Sequence, residues 1–448
     1  MTKVMVVDAG ARGHALALAY CDAGVDEVVV APGNEGIAYG LIASDYESLS
    51  VSIDPSVRLK DSASILRAAR EQGVDLVDVA QDDVLAAGTV DLLEREGIRV
   101  FGPTRRAAGI EWDKSWAREF MVRHNIPHPE YSIFRSGDET SIDYANNLLR
   151  ESETVFFKAS GLYAGKGVVS ATDEASVARA FEAMRGMGEA GSQFLVEEGM
   201  RGEEFSYYVM TDGERFVRFK SAQDNKRVFN RDLGPNTGGM GANSPALVTR
   251  GLEQRIEDEI IRPAISGLQK EGRPYKGILY LGGMVCEDGS IRVVEFNSRW
   301  GDPECHVVLP GVNTKGNNYF DLVNNAIDGK LSESPGFIGD ARRTRVCVVG
   351  ASAGYPGDYR SVKGKEIFID FDAMDNSYVL SAGIRVQDGR MYAKGGRLFS
   401  VVGEGRDVIE ARRNALQGMA CCSVGGNGLH YRTDVAWRDV ERVQKNSE

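Results

Sequence analysis

The chain has 448 residues, 42% of them hydrophobic and 26% charged, with a formal net charge of -12. That length and make-up suit a folded protein of about three domains, and the acidity excludes a general nucleic-acid binder, whose phosphate contacts need a basic surface. Six cysteines without a C-x-x-C pair exclude the usual zinc and thioredoxin-like motifs.

The N-terminus reads as a strand rather than a signal peptide, and no uncharged apolar run reaches eighteen residues. A reduced cytoplasmic setting, away from membranes, is expected. Residues 3–7 (KVMVV) read as a buried strand and 14–23 as the helix after it. Further strands follow at 26–31, closed by Pro32-Gly33-Asn34, at 75–80, and at 98–101, closed by Gly102-Pro103. Strands alternating with helical stretches predict a doubly wound parallel sheet over 1–104. Its ligands belong at the strands' carboxyl ends, here positions 10–14, 32–36 and 81–83. The loop 8–13 has two of the three glycines of a dinucleotide fingerprint, one out of place, so nicotinamide binding is unsupported.

Residues 105–125 read as helical, ended by Pro127. A small α+β unit follows, with strands at 154–158, 167–170 and 193–198 and a helix at 173–185. Two hairpins are predicted, 204–210 with 215–219 through Asp212-Gly213, and 277–287 with 291–297 through Asp288-Gly289. Residues 331–448 read as a β-rich tail with several short strands and one helix near 407–420.

Three segments carry chemistry. DLGPNTGGMGA at 232–242 reads as too irregular for helix or strand, and its glycines would let backbone N–H groups approach an anion. GLYAGKGVV at 161–169 is a second glycine loop. Lys158 precedes it and Lys166 adds charge, although Gly167 and Val168 lead into a strand, unlike a Walker loop. A plain glycine-rich hairpin is the bland alternative. In EFNSRWGDPE at 295–304, Glu295 and Asn297 share one strand face and suit magnesium, which keeps water and phosphates as its other ligands. A solvated hairpin strand is the alternative there, against which the polar run Arg299, Gly301, Asp302 and Glu304 counts. Arg227 and Arg299 are forks for a phosphate or carboxylate. His14 and His306 stand near candidate loops, where a lone histidine is more often structural. No Gly-x-Ser-x-Gly elbow is present. Two phosphate-friendly loops and a metal-friendly strand point to an enzyme that consumes a nucleotide triphosphate.

In this order and spacing the motifs resemble those of the glycinamide ribonucleotide synthetases, phosphoribosylamine–glycine ligases of the ATP-grasp superfamily. The resemblance runs nearly end to end. It is carried by APGNEG at 31–36, FGPT at 101–104, GLYAGKGVV, QDNKR at 223–227, GPNTGGMGA at 234–242, EFNSRWGDPE and GYPGDY at 354–359. It implies a fold that is α/β and α+β: an N-terminal doubly wound parallel sheet (1–104), a central ATP-grasp region (105–330) with a lid subdomain at 127–196, and a small β-rich C-terminal domain (331–448).

The implied reaction joins glycine to 5-phosphoribosylamine through a glycyl phosphate, with ATP as cosubstrate and Mg2+ or Mn2+ as metal. Carried over by motif, Lys114 and Lys158 would touch ATP phosphates. Gly165, Lys166 and Gly167 would form the lid loop, Glu197 and Glu198 the adenine hinge, and Glu204 would lie near the ribose. Glu295 and Asn297 would hold the metal. Arg12, His14, Asn34, Asp224, Lys226, Arg227, Pro235, Asn236, Thr237, Gly238, Gly239, Gly241, Arg299 and Asp302 would face glycine and the amine, with Lys158, Arg299 and Asp302 aiding the chemistry. The partners implied are small molecules, with no nucleic acid and no membrane; oligomeric state is not legible. The chain departs from the pattern at 8–14, where DAGARGH keeps Arg12 and His14 but loses an acid and two glycines, and at Asn225, which replaces a histidine. Two rival readings stand beside the ligase. One is an ATP-grasp ligase for a different acid–amine pair, and the other a non-catalytic nucleotide-binding paralogue, against which Glu295, Asn297 and Lys158 count.

Overall fold

The computed structural model describes residues 1–42, 50–161, 167–314, 316–333 and 336–445. The first unit is a five-stranded parallel sheet in the order Ser50–Ile53, Glu27–Pro32, Lys3–Asp8, Leu76–Val79, Val100–Phe101. Its inner strands are buried on both faces, as their valine-rich sequences require. The strand order reverses between Lys3–Asp8 and Leu76–Val79, which opens a crevice at their carboxyl ends. The helix after the first strand begins earlier than the apolar run suggests, at Ala11, so Arg12 and His14 lie in its first turns beside that crevice.

The helical stretch after the sheet is broken in two, Gly109–Trp112 and Lys114–Arg123. Asp113 breaks it, leaving helical geometry so that its carboxylate accepts the Trp116 N–H at 3.0 Å. Lys114 therefore opens a helix rather than sitting inside one. A four-stranded sheet follows, in the order Tyr131–Arg135, Gln193–Glu198, Val155–Ala159, Val168–Ala171. Helices Thr140–Leu148 and Glu174–Gly186 pack on it, and this unit has a hydrophobic core of its own. Both hairpins form as the turn residues indicate, Gly202–Thr211 with Phe216–Phe219 and Gly277–Cys286 with Ile291–Asn297. They build the central antiparallel sheet, which Phe337–Ile338 extends.

The C-terminal region is β-rich, with two sheets and the helix Val408–Ala420. Its larger sheet runs Gln223–Asp224, Gly241–Ser244, Thr344–Ser352, Arg397–Gly405, Ser377–Ser381. Two of those strands thus come from the middle of the chain. The segment 232–242 is more regular than its glycines suggest. Leu233–Asn236 pairs with Arg227–Phe229, and Gly241–Ser244 enters the C-terminal sheet. The tail also carries a second helix, Trp437–Lys445, beyond the single one near 407–420 that the sequence indicated. One continuous core joins Leu16 and Tyr20 of the first unit, Tyr208 of the central sheet with Trp300 just after it, and Cys347 and Val402 of the C-terminal sheet. No helix among the described residues is long and apolar enough to cross a membrane.

Candidate functional site

At the crevice, Asp8 ends its strand and gathers donors. Arg12 Nε donates to Asp8 Oδ2 at 2.7 Å, Gln81 Nε2 donates to the same oxygen at 3.0 Å, and the Gly10 N–H donates to Oδ1 at 2.6 Å. Arg12 Nη1 also donates to the Trp300 carbonyl at 3.0 Å, which ties the first unit to the segment after the metal-friendly strand. Arg299 pairs with buried Glu111 at 2.9 Å, and the other Glu111 oxygen accepts from the Ser298 N–H and hydroxyl. Burial would raise the Asp82 carboxyl, but Arg299 and Arg12 hold it below the usual range.

His14 and Asn34 reach the crevice already engaged. The Ser381 N–H donates to His14 Nδ1 at 2.9 Å. The Asn34 amide donates to the Ala9 and Ser381 carbonyls, each at 3.2 Å, and accepts from the Ser381 hydroxyl at 2.6 Å. Both side chains therefore fasten the C-terminal sheet onto the N-terminal loops. Burial holds His14 down at about 3, so the ring is neutral and can accept.

On the nucleotide side, Lys158 points across its sheet to Glu197, Nζ to Oε2 at 2.5 Å. Glu197 is 2% exposed and Arg118 also grips it, through Nε at 2.6 Å and Nη2 at 3.0 Å. Glu198 faces the other way and pairs with Arg292 at 2.8 Å. Glu204 pairs with Lys226 at 2.5 Å. Gly167 accepts the Ala159 N–H at 2.8 Å, while Gly165 and Lys166 lie outside the described residues.

Glu295 and Asn297 end their strand with Phe296 turned into the core between them. Burial pushes the Glu295 carboxyl up, but Lys114, Lys226, Lys158 and Arg299 together bring it below its ordinary value. It is therefore ionised, and of these cations Lys158, Lys226 and Arg299 also pair with Glu197, Glu204 and Glu111. Asn297 is buried, and its amide Nδ2 has no hydrogen-bond partner among the described residues. The ionised carboxylate and the Asn297 amide oxygen fit a magnesium ion that takes its remaining ligands from water and phosphates, and the unengaged Nδ2 is left to donate to one of those oxygens. Among the described residues no three His, Cys, Asp or Glu side chains converge to hold a metal without such help.

The 237–240 turn does not offer its N–H groups to an anion. Thr237 N–H donates to the Lys226 carbonyl, Gly238 to the Tyr355 hydroxyl, Gly239 to the Thr237 hydroxyl and Met240 to the Asn225 carbonyl. The glycines serve close packing instead. Gly239 has φ +107, and a Cβ there would overlap Pro303 and stand 2.9 Å from Asp224 Oδ1. That oxygen is buried and has no hydrogen-bond partner among the described residues. Burial first, then nearby Glu304, raises the Asp224 carboxyl well above its usual range. Glu304 accepts from Ser206 at 3.1 Å and Tyr280 at 2.8 Å. Asp302 lies between Arg397 Nη2 at 3.2 Å and His306 Nε2 at 3.6 Å, and Arg397 also donates to the Gly238 carbonyl at 2.6 Å.

Most sequence-nominated residues thus converge on two adjoining clusters. The side chains of Arg227, Pro235 and Asn236 do not join them. Arg227 is exposed and donates to the Gly234 carbonyl of its own hairpin, whose strand also exposes Pro235 and Asn236. Sequence reasoning missed Glu111, Arg118, Ser381 and Arg397. The burial of Arg118 did leave a signal, since it shares a helix face with buried Ser115 and Met121, where an unpaired charge would be costly, but its distant partners left none.

Family models describing the N, ATP-grasp (A) and C domains of phosphoribosylglycinamide synthetase match residues 2–111, 112–305 and 345–438. A phosphoribosylamine–glycine ligase of Ralstonia nicotianae is 40% identical over 446 residues, covering 98% of this chain and 100% of its own. A trifunctional purine biosynthetic protein (adenosine-3) of Homo sapiens is 36% identical over 99% of this chain, which spans 42% of that longer protein. Among solved structures, a phosphoribosylamine–glycine ligase of Thermotoga maritima superposes with a TM-score of 0.79 at 26% identity, covering 97% of this chain and 100% of that one. A biotin carboxylase of Campylobacter jejuni shares the fold, with a TM-score of 0.69 at 16% identity over 96% of this chain and 93% of its own.

Proposed function

The chain belongs to the phosphoribosylglycinamide synthetase family and is an ATP-dependent ligase joining glycine to 5-phosphoribosylamine; from that premise we propose how its own residues divide the work. Lys114 and Lys158 hold the triphosphate against the strand that ends in Glu295 and Asn297. Those two side chains would hold Mg2+ or Mn2+, which when bound neutralises phosphate charge and aligns it. The ammonium group of glycine would sit by Asp224 and Glu304, where its charge would offset the burial and repulsion that raise the Asp224 carboxyl, and this leaves the glycine carboxylate to face the cations. Gly239 and Pro303 pack closely beside Asp224 at that corner.

The glycine carboxylate oxygen attacks the γ-phosphorus, and the bond to the β-phosphate oxygen breaks, giving glycyl phosphate and ADP. No protein nucleophile is needed, because alignment and charge neutralisation carry such a transfer. The amine then attacks the glycyl carbon, the acyl–phosphate bond breaks, and the nitrogen loses a proton as the amide forms. Arg12, Arg299 and Asp302 line the crevice from which the amine approaches.

One observation carries this reading. Lys114, Lys158, Lys226 and Arg299 all bear on the ionised carboxylate Glu295, beside the amide of Asn297. So many cations gathered at one strand end suit a polyanion, although Lys158, Lys226 and Arg299 also pair with Glu197, Glu204 and Glu111. The test is ADP release by purified protein with glycine and phosphoribosylamine generated in situ. Release is expected only when both are present, and Glu295→Ala is expected to abolish it. Release without either substrate, or near-normal turnover of Glu295→Ala, sinks the assignment.

A further inference from the structure

Arg118 makes more connections than a helix-face arginine needs. It is 3% exposed, and its guanidinium grips both oxygens of Glu197 on the four-stranded sheet. It also donates to the carbonyls of Val293 at 3.2 Å and Val294 at 2.8 Å, on the central strand just before Glu295. Arg118 itself rides on the helix opened by Lys114. One side chain thus couples the three elements that bring Lys114, Lys158 and Glu295 together.

The sharing of Glu197 is unequal. Arg118 engages both oxygens, whereas Lys158 engages only Oε2. Were Arg118 absent, Lys158 would be the sole counter-charge for a carboxylate buried to 2% exposure. Removing a lone partner from a buried charge is severely unfavourable, so Lys158 would be locked in place. With Arg118 present, Glu197 stays satisfied whether Lys158 is there or not.

We propose that Arg118 is a positioning residue for nucleotide binding: by neutralising Glu197 through a two-pronged contact, it releases Lys158 to exchange that carboxylate for a phosphate of the nucleotide. This rests on the proposed function only in taking Lys158 as a phosphate ligand. A planar fork fits the task, because an ammonium cannot cover both oxygens of Glu197 and two carbonyls at once. The pairing leaves its mark on Glu197, which burial would push up but which Arg118 first and Lys158 second hold down at about 2.

The test is a double-mutant cycle on the full chain, read by direct titration of a non-hydrolysable ATP analogue with magnesium. Turnover is not required, so failure of the ligase assignment and failure of this inference are separable. Arg118→Lys keeps the charge and is expected to weaken nucleotide binding about fivefold or more, with glycine binding, titrated separately, unchanged. In a Lys158→Met background the same change is expected to weaken binding less than about twofold, because the effect passes through Lys158. Thermal unfolding checks that each variant is folded; Arg118→Gln serves as a second probe if Arg118→Lys is not. Unchanged nucleotide affinity in Arg118→Lys, equal losses in both backgrounds, or parallel shifts for nucleotide and glycine would overturn the proposal.

Discussion

His306 has no exposed surface, and its two nitrogens face different chemistry. Nδ1 lies 3.6 Å from the Cys347 sulfur, whose thiol burial pushes up to about 12, so the thiol keeps its proton and donates. Nε2 then carries the ring proton toward Asp302, 3.6 Å away. Burial first, opposed by Asp302 and helped by Arg397 and Arg12, lowers the imidazole to about 4. Below an ordinary histidine value of 6.5 the unfolded chain takes up a proton that folded His306 refuses. Its contribution is therefore complete above pH 6.5 and declines as pH falls toward 4. Wild type is compared with His306→Gln by denaturant unfolding. The wild-type advantage is expected to shrink by about 2 kcal/mol between pH 7 and pH 5. A difference that stays flat across that interval contradicts the burial argument. The comparison with a variant is needed because buried Asp78, raised to about 7 by burial, makes an opposing contribution over the same range.

Among elements, the terminal helix Trp437–Lys445 shows how a brace can sit far from what it supports. Asp439 is fully buried and accepts from the Asn243 amide at 2.8 Å and the Leu247 N–H at 2.9 Å, while Arg442 pairs with Glu203. The helix thereby holds the strand Gly241–Ser244, whose first residue closes the glycine turn. Asp439→Ala leaves two buried donors unsatisfied and is expected to cost about 2 kcal/mol in unfolding free energy. A loss below measurement error would mean water replaces the carboxylate there. The sequence hid this helix because only Trp437, Val440 and Val443 are apolar among many charges. It hid the pairing of Leu233–Asn236 because glycine and proline usually break strands. The edge strand Ser50–Ile53 escaped notice for want of a hydrophobic run. By contrast, both hairpins were legible, since Asp-Gly turns between apolar runs act locally. Lys158, Glu295 and Asn297 were legible because strand alternation fixes their faces. The partners Arg118, Ser381 and Arg397 were not, because their contacts span 79, 367 and 159 residues and no local pattern encodes them.

At the scale of the whole molecule, the cores divide the protein unevenly. One cluster runs through the first unit, the central sheet and the C-terminal sheet. The four-stranded sheet of residues 131–198 has a separate core drawn only from residues 134–196. Units with separate cores open separately. Hydrogen exchange is expected to be faster over 131–198 than in the central sheet, and to slow there selectively when a magnesium–ATP analogue is added. Uniform protection across both regions, unchanged by nucleotide, would show that this sheet is not an independent unit.

The C-terminal sheet borrows the strands Gln223–Asp224 and Gly241–Ser244 from the middle of the chain. Recombining relatives at the join near residue 330 would therefore graft half a ladder from one parent onto half from another. A working chimera needs its crossover upstream of residue 202, because Gly202–Thr211 also pairs with Gly277–Cys286, and must inherit everything after it from one parent, or it needs matched replacements on both sides of that seam.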